Sequence, residues 1–175
     1  MNSIFLLRNI GLGNFGARHL AAWHRLGLGD RLWIAEPNQA RWAETAPYRL
    51  PAGRLVRSME EALDQVQVVD IVTPTDSHFG LCRTALEAGK DVFVEKPMTL
   101  TAAQARQVAE LSQRAERLVQ VGYYYRFHPA AQRLKAEVQA GRFGTPRYLT
   151  GSFCGFKRAR NDVGVTHTDG IHFLD

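Results

Sequence analysis

The stretch Asp91-Val-Phe-Val-Glu-Lys-Pro97 sets an apolar run directly against an acid, a base and a proline. Val92-Phe93-Val94, all β-branched or aromatic, reads as a strand covered on both faces. Pro97 has no N–H to give to a sheet ladder, so pairing is expected to stop there. Lys96 then stands at the carboxyl end of a buried parallel strand, where open α/β sheets place their ligands. A partly desolvated amine at that place is suited to proton transfer. Taken alone, Glu95-Lys96-Pro97 is more often a solvated loop, so its chemistry depends on what else converges on it.

Gly11-Leu-Gly-Asn-Phe-Gly16 follows one expected strand and opens an expected helix, the setting in which G-x-G-x-x-G has physical meaning. Gly11 allows a tight turn, Gly13 lets a pyrophosphate approach the backbone, and Gly16 lets the helix pack closely on the sheet. The N–H groups of that helix terminus, at Asn14 and Phe15, are oriented donors for phosphate. Glu36 ends the second expected strand 20 residues after Gly16, the usual offset for an acid that binds a ribose 2′-hydroxyl. A carboxylate there also repels a 2′-phosphate, so NAD is the expected cofactor and NADP the less favoured one. Arg41 works the other way, since it could pair with a phosphate or stack on adenine. Thr73, Pro74 and Thr75 close the fourth expected strand beside the same crevice, with His78 in the next turn. His78 fits a cofactor site or, equally, a polar network at a helix N-terminus.

The elements that must hold these groups alternate. Strands are expected over Ser3–Ile10, Leu32–Glu36, Leu55–Val56, Val66–Thr73, Asp91–Lys96 and Leu118–Tyr123. A helix carrying Phe15, Leu20 and Trp23 near one face should close at Gly27 or Gly29, and a short one should start at Asn38. Ser58-Met-Glu-Glu61 and Thr101-Ala-Ala-Gln104 are capping boxes, predicting helices from Met59 and from Ala102. The second of these turns Ala105, Val108, Ala109 and Ser112 inward. Phe79, Cys82, Ala85 and Leu86 recur at helical spacing, with Gly89 to stop the helix. This rhythm of βαβ units predicts an α/β, doubly wound parallel sheet of the Rossmann kind. After Tyr123 the rhythm changes. A helix is expected from Pro129 to about Ala140 and a half-exposed strand over Arg147–Phe153, as a second α/β domain would begin. Arg8 and Asn9 are the discordant feature, polar groups where the first central strand should be apolar.

The net charge of +5 is scattered rather than blocked, which argues against nucleic acid as a partner. Cys82 and Cys154 fit neither a metal spacing nor a disulfide framework and are expected to be reduced thiols in a cytoplasmic protein. No run is long and apolar enough to span a membrane. No metal ligand set stands out.

The order and spacing of Gly11–Gly16, Thr73-Pro-Thr75 with His78, Glu95-Lys-Pro97 and Gly122-Tyr-Tyr-Tyr-Arg-Phe-His-Pro129 resemble the glucose–fructose oxidoreductase / inositol 2-dehydrogenase / MocA family. The likeness runs over essentially all of the chain. It implies an NAD-binding Rossmann domain over 1–123 and the start of a C-terminal substrate and dimerisation domain over 124–175. It also implies hydride transfer at a carbinol carbon of a sugar, cyclitol or related small molecule. By the same resemblance Lys96 meets the reacting hydroxyl, His172 looks like the family's general base, and Tyr123 and Arg126 lie towards the substrate. The family's aspartate stands four residues before its histidine. Here Thr168 occupies that place and Asp169 is three before, with His167 a possible substitute. Members are longer than this chain and oligomerise through a sheet largely missing from it, so a truncated enzyme is expected. The competing expectation is a dinucleotide-binding module without catalysis.

Overall fold

A four-residue strand such as Leu32-Trp-Ile-Ala35 hides both of its faces only between two layers of helix, and that is the architecture found. The computed structural model describes residues 4–7 and 14–150. Its strands are β1 (Ile4–Leu7), β2 (Leu32–Ala35), β3 (Leu55–Val56), β4 (Val68–Ile71), β5 (Asp91–Val94) and β6 (Val119–Val121). They form one sheet in the order β3-β2-β1-β4-β5-β6, and every pairing is parallel. The expected α/β, doubly wound Rossmann sheet is therefore present. The strand order reverses direction between β1 and β4, which is the switch point where such sheets bind ligands.

Helix α1 (Asn14–Arg25) covers one face, where Leu20 packs with Leu32 and Ile34. Helices α2 (Thr75–Glu87) and α3 (Ala102–Ala115) belong to the opposite face. There Cys82, Ala85, Leu86 and Val108 close over Val69, Ile71, Val92 and Val94 in one buried cluster. Strand alternation sorts these sets, because successive side chains point to opposite faces. Val92 and Val94 face α2, whereas Phe93 has the opposite parity. Helix α4 (Pro129–Gln139) follows a short 3-10 turn over Tyr124–Phe127 and ends before Gly141, whose φ of 72° is left-handed.

Four local expectations are corrected. The Ser58 capping box starts no α-helix: residues 59–65 form turns and a 3-10 turn at Leu63–Gln65. Only a short connection separates β3 from β4, and helix nucleation is unfavourable over so few residues. Met59 and Ala62 instead plug directly into the core. On α3, Ala109 is exposed and Leu111 joins Val108 against the core cluster. Phe15 does not share the buried face of Leu20. It is 42% exposed, with the Arg18 guanidinium 5.2 Å from its ring centre. Within the expected strand over 147–153, the described residues 147–150 form no strand, and Tyr148 and Leu149 are exposed. Arg8 and Asn9 lie outside the described residues.

Candidate cofactor and catalytic site

Register fixes the frame of the site. Val56 pairs with Ala35, Ala35 with Leu7, Leu7 with Ile71, Ile71 with Val94 and Val94 with Val121. The six strands thus end in one row, and the residues that follow share a single rim. Glu36 leaves β2 on that rim, Thr73 follows β4, Lys96 follows β5 and Tyr123 follows β6. Glu36 and Lys96 are three strand spacings apart, roughly 14 Å at about 4.8 Å per spacing.

Glu36 is only 3% exposed. Its Oε1 accepts from the Asn38 N–H at 2.9 Å, while Oε2 is buried without a hydrogen-bond partner among the described residues. An orphaned carboxylate oxygen is costly unless something supplies a donor. A ribose hydroxyl is such a donor, so this residue fits the adenosine side of a dinucleotide. Arg41, in the 3-10 stretch Gln39–Tyr48, likewise has a buried Nη1 with no hydrogen-bond partner among the described residues. Asn38 caps that stretch by accepting from the Ala40 N–H at 3.1 Å.

Gly16 is buried in the first turn of α1, consistent with close helix-on-sheet packing. Asn14 and Phe15 begin that helix. Gly11 and Gly13 lie outside the described residues, as do His167, Thr168, Asp169 and His172.

Thr73, Pro74 and Thr75 form the turn into α2, with Thr73 Oγ1 and Ser77 Oγ 2.6 Å apart. His78 is fully buried, and its ring spans two loops. Nδ1 is 2.8 Å from the Pro97 carbonyl oxygen and Nε2 is 2.8 Å from that of Thr73. The Thr73–Thr75 turn and the Glu95–Pro97 turn are therefore stapled together through His78. Lys96 is half-buried beside them. Tyr123 is half-buried and Arg126 exposed. Both line a cavity of about 260 Å³ with Tyr124, Tyr125 and Ala131. A larger cavity of about 430 Å³ lies at the start of β3 between Trp42 and Leu55, and none of Thr73, Lys96 or Tyr123 lines it.

Reading the sequence missed the most connected group here. His19 of α1 donates from Nδ1 to Asp70 Oδ2 at 2.9 Å and from Nε2 to Glu95 Oε1 at 3.1 Å. Trp23 Nε1 donates to the same Asp70 oxygen at 2.6 Å. Asp70 lies within β4 and is fully buried. Burial alone would lower the His19 pKa, but hydrogen bonds and charge from Asp70 and Glu95 outweigh it and push it up to about 9. Burial also pushes the Asp70 carboxyl up, against the donors His19 and Trp23. A carboxylate taking two N–H donors on one oxygen acts as an acceptor, which places the proton on His19. One signal was available: Asp70, Phe93 and Glu95 share a face of the sheet, and His19 and Trp23 stand four apart on the helix above it.

The family model for an oxidoreductase family with an NAD-binding Rossmann fold, Gfo/Idh/MocA, matches residues 9–123. The chain belongs to that family. Among curated relatives of this Gfo/Idh/MocA chain, UDP-N-acetylglucosamine 3-dehydrogenase from Acidithiobacillus ferrooxidans is 34% identical, covering 95% of this chain and 51% of the relative. An NAD(+) scyllo-inositol 2-dehydrogenase from Bacillus subtilis is 32% identical over 95% of this chain and 48% of its own length. The chain spans about half the length of these relatives. Among solved structures, the WlbA dehydrogenase from Bordetella pertussis, in complex with NADH and UDP-GlcNAcA, matches with a TM-score of 0.69 and 25% identity. That match covers 82% of this chain and 41% of WlbA. Among the described residues, no helix is long and apolar enough to cross a membrane.

Proposed function

We propose that this chain carries the cofactor-binding half, and the catalytic groups Lys96, His172 and Asp169, of an NAD(H)-dependent oxidoreductase interconverting a carbinol and a carbonyl on a sugar, cyclitol or related small molecule. The observation that carries the reading is the shared rim, where a buried orphan carboxylate oxygen on Glu36 and the Lys96 turn stand three strands apart across the switch point. A bound nicotinamide dinucleotide would supply the redox chemistry by accepting or donating a hydride. The chain's own residues bind, orient and move a proton. Gly11, Gly13, Asn14, Phe15 and Gly16 cradle the diphosphate, and Glu36 holds the adenosine ribose. Glu36 also disfavours a 2′-phosphate, which selects NAD(H) over NADP(H) despite Arg41. Thr73, Pro74, Thr75 and His78 wall the crevice at the end of β4.

Lys96 then faces the reacting hydroxyl and shares its proton with His172, the proposed general base, with Asp169 as the acid beside it. Tyr123 and Arg126 face the substrate. On this reading residues 1–123 form the cofactor domain, and 124–175 begin the substrate and dimerisation domain of a cytoplasmic enzyme. The relatives' names support the sugar and cyclitol class, since they act on UDP-N-acetylglucosamine and scyllo-inositol.

The test is to titrate the chain with NADH and NADPH, then follow NAD reduction across a panel of polyols and nucleotide sugars. Tighter binding of NADH and turnover of at least one panel member are expected. Tighter binding of NADPH would remove the role given to Glu36. Binding with no turnover would leave a dinucleotide-binding module.

A further inference from the structure

We propose that His19 is a positioning residue for Lys96, acting through Glu95 from the helix that follows the glycine loop. This rests on the role given to Lys96 above, but its geometry does not. Glu95 uses both carboxylate oxygens. Oε1 accepts from His19 Nε2 at 3.1 Å, and Oε2 accepts the backbone N–H of Lys96 at 3.1 Å. Fixing that carboxylate therefore fixes the backbone from which Lys96 projects. His19 is itself fixed from the other side by Asp70, which Trp23 also holds. Its ring lies 5.7 Å from that of Phe93, the β5 residue paired with Asp70, so it cannot swing away without crossing the sheet's packed face.

The backbone beneath Glu95 is cut to fit. A Cβ on the buried Gly122 would sit 2.8 Å from Glu95 Oε1, closer than such atoms approach. The carboxylate could retreat only by leaving His19 or the Lys96 N–H. Four elements thus meet around the His19–Glu95 pair: α1 through His19, β4 through Asp70 on His19, the end of β5 through Glu95, and the end of β6 through Gly122 against Glu95. The raised pKa of His19 keeps it a donor at both nitrogens near neutrality, as both of its bonds require.

The experiment is trace acetylation of the full chain with acetic anhydride, reading Lys96 by mass spectrometry against Lys90 and Lys135 as internal standards, with and without NADH. In His19→Gln the relative rate at Lys96 should rise by about twofold or more, the lower reach of couplings carried through side-chain networks. Gly122→Ala should reproduce the rise, because it displaces the carboxylate without removing any charge. It decides the matter alone if His19→Gln does not fold. An unchanged or lower rate at Lys96 in folded variants overturns the proposal. So does an equal rise at all three lysines, which would mean general loosening. Failure of NADH to protect Lys96 in the unsubstituted chain counts against the cofactor reading and leaves the His19 result to stand separately.

Discussion

His19 Nε2 lies 3.1 Å from Glu95 Oε1, so a side chain of the glycine-loop helix is tied to the residue before Lys96. The tie has a pH dependence whose sign follows from the raised His19 pKa. The folded state holds the His19 proton more tightly than the unfolded chain does, from about 6.5 up to about 9. Its stabilisation is complete below pH 6.5, declines across that window and is gone once the pH passes 9. The shift corresponds to about 3 kcal/mol at 1.36 kcal/mol per pH unit. Asp70 and Glu95 face the ring at hydrogen-bond distance, Trp23 bonds Asp70 behind it, and Phe93 lies alongside. Urea unfolding at pH 6, 8 and 10 should show the gap between the unsubstituted chain and His19→Gln shrinking as pH rises. A gap that stays constant over that range would contradict the assignment.

Trp23 makes a second, independent claim on Asp70. Its indole N–H reaches the carboxylate at 2.6 Å, and the acid is wholly buried. Trp23→Phe keeps most of the ring and removes the donor, leaving a buried carboxylate short of one partner. The expected loss is about 1–3 kcal/mol, measured by denaturant unfolding at pH 7. A loss under about 0.5 kcal/mol, the scale of ordinary surface changes, would mean that the contact contributes nothing.

The two capping boxes separate what was legible from what was not. Thr101-Ala-Ala-Gln104 starts its helix as predicted: the Thr101 hydroxyl accepts from the Gln104 N–H at 3.2 Å and α3 follows, although the reciprocal bond to the Gln104 side-chain oxygen is not made among the described residues. Ser58-Met-Glu-Glu61 has the same local chemistry but no room before β4, so burial of Met59 and Ala62 overrides it. Thr101→Ala should therefore cost about 1 kcal/mol, and Ser58→Ala only a few tenths. Equal costs for the two would show that a residual cap forms at Ser58.

The strands, their alternation with helices and the glycine turn were legible because period and turn chemistry act over a few neighbouring residues. The His19 network was not. Asp70 stands 51 residues from His19 and Glu95 stands 76 away, and only the sheet's face parity joins them. In the sequence, Asp70 reads as an interruption of an apolar strand. In the fold it is the anchor of the buried polar cluster, since a buried acid persists only where donors converge on it. Phe15 failed for the opposite reason. Helical spacing placed it near the face of Leu20, but at the start of α1 it stands largely clear of the packed sheet.

Glu36 offers the sharpest separation between fold and function. Among the described residues its Oε2 is buried without a partner, so a ligand that brings a donor gains from this carboxylate what the empty protein does not. In Glu36→Gln the amide oxygen can still accept from the Asn38 N–H, while the negative charge proposed to meet the ribose is gone. NADH affinity should fall by about one to two powers of ten, the worth of a hydrogen bond to a charged group. The NADH-over-NADPH preference should narrow as repulsion of the 2′-phosphate disappears. The melting temperature of the ligand-free chain should hold or rise. Parallel loss of stability and affinity would instead make Glu36 a structural acid, and the ribose would then have to be held by other groups on the rim, with Arg41 the first to examine.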